Sequence, residues 1–491
     1  VAESTAAASA AAETERADLR ARTALAVLAA TAVASLVIPG SRAGLGLAVA
    51  SMAMLAATVV DAEGRRSRAS LAMLIAAELL LLAPLVRDAT WLVTYDLVIA
   101  LGLAAVALAG ASSWSAVYRA WTRLCGYVVR GPAAIARVLI GQIPAAGPES
   151  YAALVRGGLL TLGLLTVFAA LFASADGVFA HVFGNLSPDL AQWQLPARIG
   201  VAIVAVAIGG GLALLASRGE DEKLDRDDPA FNEFIAGSPA RERLLRPAEW
   251  AVALGALTAL FAGFVAIQFV VLFGGQEHVV QTAGLTYSEY ARQGFGQLLV
   301  VAGLVLAVVA GGLRFSRTDT PRQAVLLHAL LAGLCVLTLV VLASAVHRLD
   351  LYVDVFGATR LRFIAAATCV LIACVLLCVT AALFSARRAW LAPTVVMLTA
   401  LVAIAATAIN PDGTIAGRNV DRFRSTGALD RSYNSSLSGD ATPALAELPP
   451  PLATSVLARQ RARLESPDGF WGFSEARRRA RAALEDLTAS P

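Results

Sequence analysis

The chain has 491 residues, of which 58% are hydrophobic and only 15% charged, against roughly 25% charged in an ordinary soluble domain. A net charge of +4 is too small to indicate a nucleic-acid partner. The apolar residues come in blocks of about 16 to 26, long enough to cross a hydrocarbon core as helices, and the short alternating strands of a transmembrane barrel are not visible. Composition and patterning therefore predict an all-α integral membrane protein.

Residues 1–22 read as a disordered cytoplasmic tail ending in Arg16, Arg20 and Arg22. Its acids (Glu3, Glu13, Glu15, Asp18) mark the first apolar run as a retained anchor rather than a signal peptide. Spans are expected near 23–38, 43–60, 69–86, 89–109, 157–175, 197–216, 248–273, 294–313, 323–346, 363–384 and 389–409, about eleven transmembrane helices. The first four form a block over 23–109. Residues 110–156 carry Trp114, Tyr118, Trp121 and Leu124 at helical spacing, with Arg119, Arg123 and Arg130 between them. That pattern predicts an amphipathic helix on the inner leaflet, where arginine meets anionic lipid.

The remaining spans fill 157–409, interrupted by a mixed-charge linker at 217–247. Residues 410–491 read as a small helical tail, divided at Pro449–Pro451 and closed by a basic helix from Ser474 to Leu487. Its apolar content is modest for a free-standing core, so it is expected to lean on the membrane domain or on a partner. Of the Lys and Arg residues in the connections, 22 fall on one side of this topology and 7 on the other. The positive-inside rule then sets the N-terminus in the cytoplasm, and an odd number of spans sets the C-terminal tail outside.

The five cysteines sit mostly inside apolar spans, which argues against a disulfide framework. Nearly all the positive charge is Arg, and Lys223 is the only lysine. With the Ala, Gly and Val richness this points to a high-GC, bacterial origin and to the cytoplasmic membrane.

Two acids lie inside apolar spans. Glu78 stands nine residues before Arg87 and Asp96 nine after it, which puts both roughly 13 Å below the same turn. Ionised carboxylates at that depth are costly, so the pair is either a hydrogen-bonded structural feature or a proton or cation relay. His181, His278 and His347 are scattered through connections without an HExxH pattern or a close Cys partner, and no metal or other cofactor is expected. No GxxxxGK[ST] loop and no Gly-x-Ser-x-Gly elbow is present.

Four stretches occur in order: Leu171 to Asp176 with Val178-Phe179-Ala180; Tyr287 to Phe295; Leu351-Tyr352 with Phe356 to Arg362; and Asn410-Pro411-Asp412 through Asn419 to Arg422. The last is followed by Gly427 to Asp430, Tyr433, Leu437-Ser438 and Asp440 to Leu445. Together they resemble the bacterial polytopic membrane proteins grouped as domain-of-unknown-function families 4153 and 4173, over about residues 150–450. The resemblance implies a polytopic architecture and no particular activity.

In the expected topology all four stretches reach the outer face. They offer an outer-face polar set of Asp176, Glu289, Tyr290, Arg292, Tyr352, Arg360, Arg362, Asn410, Asp412, Arg418, Asn419 and Arg422. Acids and guanidiniums gathered at one face can hold an anionic or lipid-linked ligand bidentately, or can clamp the tail onto the bundle. The favoured reading is a non-enzymatic cell-envelope protein that binds or senses such a ligand or an envelope protein partner. The alternatives are a proton- or cation-coupled transporter using Glu78 and Asp96, and a membrane enzyme acting on lipid-linked substrate at the outer face.

Overall fold

The computed structural model describes residues 21–60, 67–111, 113–141, 194–221, 245–273, 295–385 and 388–489. Regular structure there is helical, apart from one isolated bridge between Leu245 and Ser316. The helices are α1 Ala21–Val37, α2 Leu45–Ala57, α3 Arg68–Leu81, the single turn α4 Ala83–Val86, α5 Thr90–Leu108, α6 Trp114–Gly141 and α7 Leu195–Asp221. Then come α8 Pro247–Phe273, α9 Phe295–Phe315, α10 Pro321–Phe356, α11 Arg360–Leu383 and α12 Leu391–Ile409. The tail holds α13 Pro411–Thr426, α14 Arg431–Ser435, α15 Thr442–Leu445, α16 Pro450–Leu464 and α17 Glu475–Ala489.

Among the described residues eight helices are long and apolar enough to cross a membrane, and α1 and α2 are apolar but shorter. The chain is an all-α polytopic membrane protein. The span expected at 157–175 lies outside the described residues.

The chain forms two compact units, one of Val1–Ala111, Ala116–Leu224 and Ser466–Arg478, the other of Ser112–Ser115, Asp225–Glu465 and Arg479–Pro491. The tail expected as one piece is thus shared between them.

In the first unit α3 packs along α5, and α1 packs against α2 and α7. The segment at 110–156, expected to lie on the leaflet, contains α6, whose buried Ala116, Ala120, Leu124 and Ile135 face inward. Trp114 and Tyr118 remain 40% and 60% exposed. At its far end α6 crosses α7 at van der Waals contact of the two backbones. A Cβ on Gly210 would stand 2.8 Å from the Cα and the carbonyl carbon of Gly131. Small residues are what let membrane helices approach this closely.

In the second unit α8, α9 and α11 pack around α10, and α12 packs on α11. α10 begins with a capping box: Thr320 Oγ1 accepts from Gln323 N, and the Gln323 side chain accepts from Thr320 N, with Pro321 in the first turn. It does not end near residue 346, where the sequence reading stopped it, but runs 36 residues to Phe356. The polar residues His347, Arg348, Asp350 and Asp354 mark where side chains leave the hydrocarbon. They do not end the backbone hydrogen bonding, and Leu349 and Val353 keep a buried stripe. Gly357, at φ +85°, ends the helix in a conformation other residues rarely adopt.

The crossing of α6 and α7 gives a direct check. Gly210→Leu should lower stability in detergent by about 1–3 kcal/mol through overpacking. Gly126→Leu, where a Cβ meets nothing within 4 Å, should leave the melting temperature near that of the parent in fluorescence-detected size exclusion.

Candidate functional site

The polar stretch after α12 is built on one residue. Asn410 takes a left-handed conformation (φ +58°) that stops α12, which Asn tolerates better than most residues. The same side chain caps the next helix, its Oδ1 accepting from Gly413 N at 3.2 Å, with Pro411 fixing the first turn. This break turns α13 back over the Gly357–Thr359 corner between α10 and α11.

Asp412, in the first turn of α13, is fully buried. Arg360 grips it with both arms, Nε to Oδ1 at 2.8 Å and Nη2 to Oδ2 at 2.5 Å. Ser438 N donates to Oδ2 at 2.9 Å. Burial by itself pushes the Asp412 carboxyl up, but the Arg360 guanidinium and the Ser438 donors outweigh it and hold the group below the ordinary carboxylate range. The Arg360 backbone N–H donates to the Tyr433 hydroxyl at 2.6 Å. Burial pushes the Tyr433 phenol up, and the bond from Arg360 offsets this only in part.

Asn419, one helical stretch further on, reads the corner backbone. Its Oδ1 accepts from Ala358 N at 2.6 Å, while Nδ2 donates to Ala358 O and to Asn434 Oδ1, both at 3.1 Å. A side chain on Gly357 would stand 2.9 Å from Asn419 Oδ1, so glycine there serves both the turn and this approach. Arg422 closes the other side. It donates to the carbonyls of Asp354 and Val355, at the C-terminus of α10, and to Ala428 O, a position where the helix dipole favours a cation. Arg362 donates to Gly357 O and stacks its guanidinium over Tyr352 at 4.2 Å.

Of the twelve residues proposed for the outer-face set, the structure brings Tyr352, Arg360, Arg362, Asn410, Asp412, Asn419 and Arg422 to this corner. Arg418 lies at its rim, 3.5 Å from Asp350, with both side chains 58% exposed. Asp176, Glu289, Tyr290 and Arg292 lie outside the described residues. Tyr433, Asn434, Ser438 and Gln460 join the network; Tyr433 and Ser438 belong to the stretches that carry the family resemblance, and none of the four is in the outer-face set. Gln460 donates to the carbonyls of Ser435 and Leu437. Beneath them an apolar core joins Val353 and Ala358 of the corner to Ile415, Val420, Leu437, Leu445 and Leu457 of the tail.

The first unit holds a second buried polar joint, which sequence reasoning missed. Arg477, 3% exposed, reaches Asp88 Oδ1 and Asp468 Oδ1, both at 2.8 Å, and Ala43 O at 2.9 Å, and it also donates to Gly472 O. Arg42 adds a longer contact to Asp468 at 3.6 Å. Arg477 sits in a run of three arginines. Only the helical phase of Ala476, Ala480 and Leu484 distinguishes it from its exposed neighbours Arg478 and Arg479.

Glu78 and Asp96 are also in the first unit, on the packed helices α3 and α5. Asp96 is 1% exposed, and Glu78 is half-buried, its Oε2 without a hydrogen-bond partner among the described residues. Among the described residues no group of three or more His, Cys, Asp or Glu is placed to hold a metal ion.

A family model described as "Domain of unknown function (DUF4153)" matches residues 74–448, more than half of the chain. The chain belongs to the DUF4153 family. The DUF4153 match begins inside α3, well before the stretches that carried the resemblance, and ends at Leu448, so it takes in the whole Arg360–Asp412 corner. No curated protein and no solved structure matches the chain.

Removing one partner of the buried pair strands the other. Asp412→Ala should cost about 3–5 kcal/mol and expose the tail to limited proteolysis. Arg418→Ala, at an exposed pair worth roughly 0–1 kcal/mol, should not. The acid limb follows from the sign of the shift. Because the folded-state value of Asp412 is depressed, its contribution is complete above the unfolded carboxyl value of about 3.9. It is lost as pH falls through the lower folded-state value. An acid titration of tail protection should show this loss in the parent and not in Asp412→Asn.

Proposed function

We propose that this DUF4153 protein is a non-enzymatic component of the cell envelope. In this reading the family stretches around Asn410–Arg422 clamp the tail to the membrane bundle, and the tail's solvent face binds an anionic ligand or partner. The observation that carries it is that Asp412, Asn419 and Arg422 are committed to the chain's own backbone and to Arg360. Groups committed in this way hold structure together rather than waiting for a ligand.

Ligand contact then falls to the exposed cations of the tail. Arg459 and Arg463, one turn apart on α16, are both exposed. The tail follows the positive-inside assignment to the extracytoplasmic side. Support comes from the first unit, in which Ser466–Arg478 bonds to the Ala43 and Asp88 turns, at the ends of α1 and α3–α4 away from Ala21 and Arg68.

Reporter fusions at residue 491 should be active only outside the cytoplasm. Purified protein in nanodiscs should bind inorganic polyphosphate in a salt-sensitive manner, and Arg459→Gln/Arg463→Gln should weaken binding by about tenfold, the effect of losing two phosphate contacts. Unchanged binding by the double variant would remove the ligand half of the proposal.

The buried Asp96, and a Glu78 Oε2 with no hydrogen-bond partner among the described residues, favour one second reading, a proton- or cation-coupled transporter. It requires Glu78→Gln to abolish a proton-gradient-dependent flux in proteoliposomes while leaving the fold intact.

A further inference from the structure

We infer that the Ser466–Arg478 segment is seated in the lipid leaflet, with Phe470, Trp471 and Phe473 as an interfacial wedge against phospholipid.

The first ground is the length of α2. Its 13 residues rise about 20 Å, short of the roughly 30 Å hydrocarbon core, so an end of this apolar helix lies below the membrane surface. The second is how its N-terminus is satisfied. Gly44, the N-cap, makes no side-chain cap. The first two helical N–H groups are instead met by the tail segment: Leu45 N donates to Phe473 O at 2.9 Å and Gly46 N to Trp471 O at 2.7 Å. Backbone donors at membrane depth must find partners in protein, because no water is there to serve them. Carbonyls from residues 471 and 473 supply them, so those residues share the depth of the α2 terminus.

The third ground is the sorting of side chains. Two charged groups of the segment turn inward: Arg477 and Asp468 are 3% and 7% exposed and pair with each other, Arg477 also with Asp88, while Arg478 at the segment's end stays exposed and pairs with Glu475. The aromatic side chains turn out, with Phe470 72% and Trp471 and Phe473 each 40% exposed. Phe470 and Trp471 meet edge to face at 4.9 Å between ring centres, which holds the pair as a rigid unit. Burying Arg477 and Asp468 while presenting three aromatics is the sorting that the headgroup boundary favours. Ile38 and Leu47, on either side of the same turn, also line an apolar groove of about 560 Å³ formed with α5 and α7.

Trp471 provides its own probe. In liposomes, the difference in emission between the parent and Trp471→Phe isolates this indole. That difference should fall to less than half with phospholipids brominated near the headgroup and should be insensitive to aqueous iodide. The double variant Trp471→Phe/Phe470→Trp moves the probe by one residue and should behave alike. Quenching by iodide without quenching by brominated lipid would overturn the inference in favour of a water-facing loop. Insensitivity to both quenchers would overturn it in favour of a protein cover, such as a second copy of the chain.

Discussion

The second unit depends on one carboxylate placed where no water reaches it. Asp412 is fully buried at the start of α13, and an unpaired charge there would cost several kcal/mol. The bidentate Arg360 fork meets that demand only if α11 begins at its observed position. Ser438 contributes its N–H only if the chain after α14 folds back. Satisfying one charge therefore fixes the relative placement of α11, α13 and the Ser438 turn. The apolar core of Val353, Ala358, Ile415 and Leu437 adds burial energy without selecting that register. The pair supplies specificity, and the core supplies most of the free energy.

Asn419 and Arg422 extend the same logic to groups that every helix pair leaves behind. The corner at 357–359 exposes carbonyl and amide groups between α10 and α11, and the last carbonyls of α10 have no intrahelical donor. Asn419 mimics a strand partner for Ala358, and Arg422 caps Asp354 and Val355. Asn419 and Arg422, two of the side chains expected in an outer-face set, are engaged with this helix corner.

The spans were legible because hydrocarbon imposes a length and a composition that few other environments do. Ten of the eleven expected spans coincide with helices, and the eleventh lies outside the described residues. The site was legible as a set of residue types but not as a set of partners. Asn410, Asp412 and Arg422 stood out because polar groups crowd against an apolar run. That Asp412 takes Arg360, 52 positions away, depends on the tertiary path of the chain, as does the choice of Arg477 from three consecutive arginines. The over-short estimate of α10 has a different cause. Hydropathy reports where the side chains leave lipid, whereas helix termination is set by backbone chemistry, here Gly357.

The length of α10 has a mechanical consequence. At 36 residues it is about 54 Å long, with its only proline in the first turn, so no proline kink interrupts its length. The tail grips its last turn through Arg422, and the capping box at Thr320 holds its first. A torque applied to the tail is therefore not absorbed along the way. It arrives at the Thr320 end as rotation of a single rod, making the two faces of this unit one rigid lever.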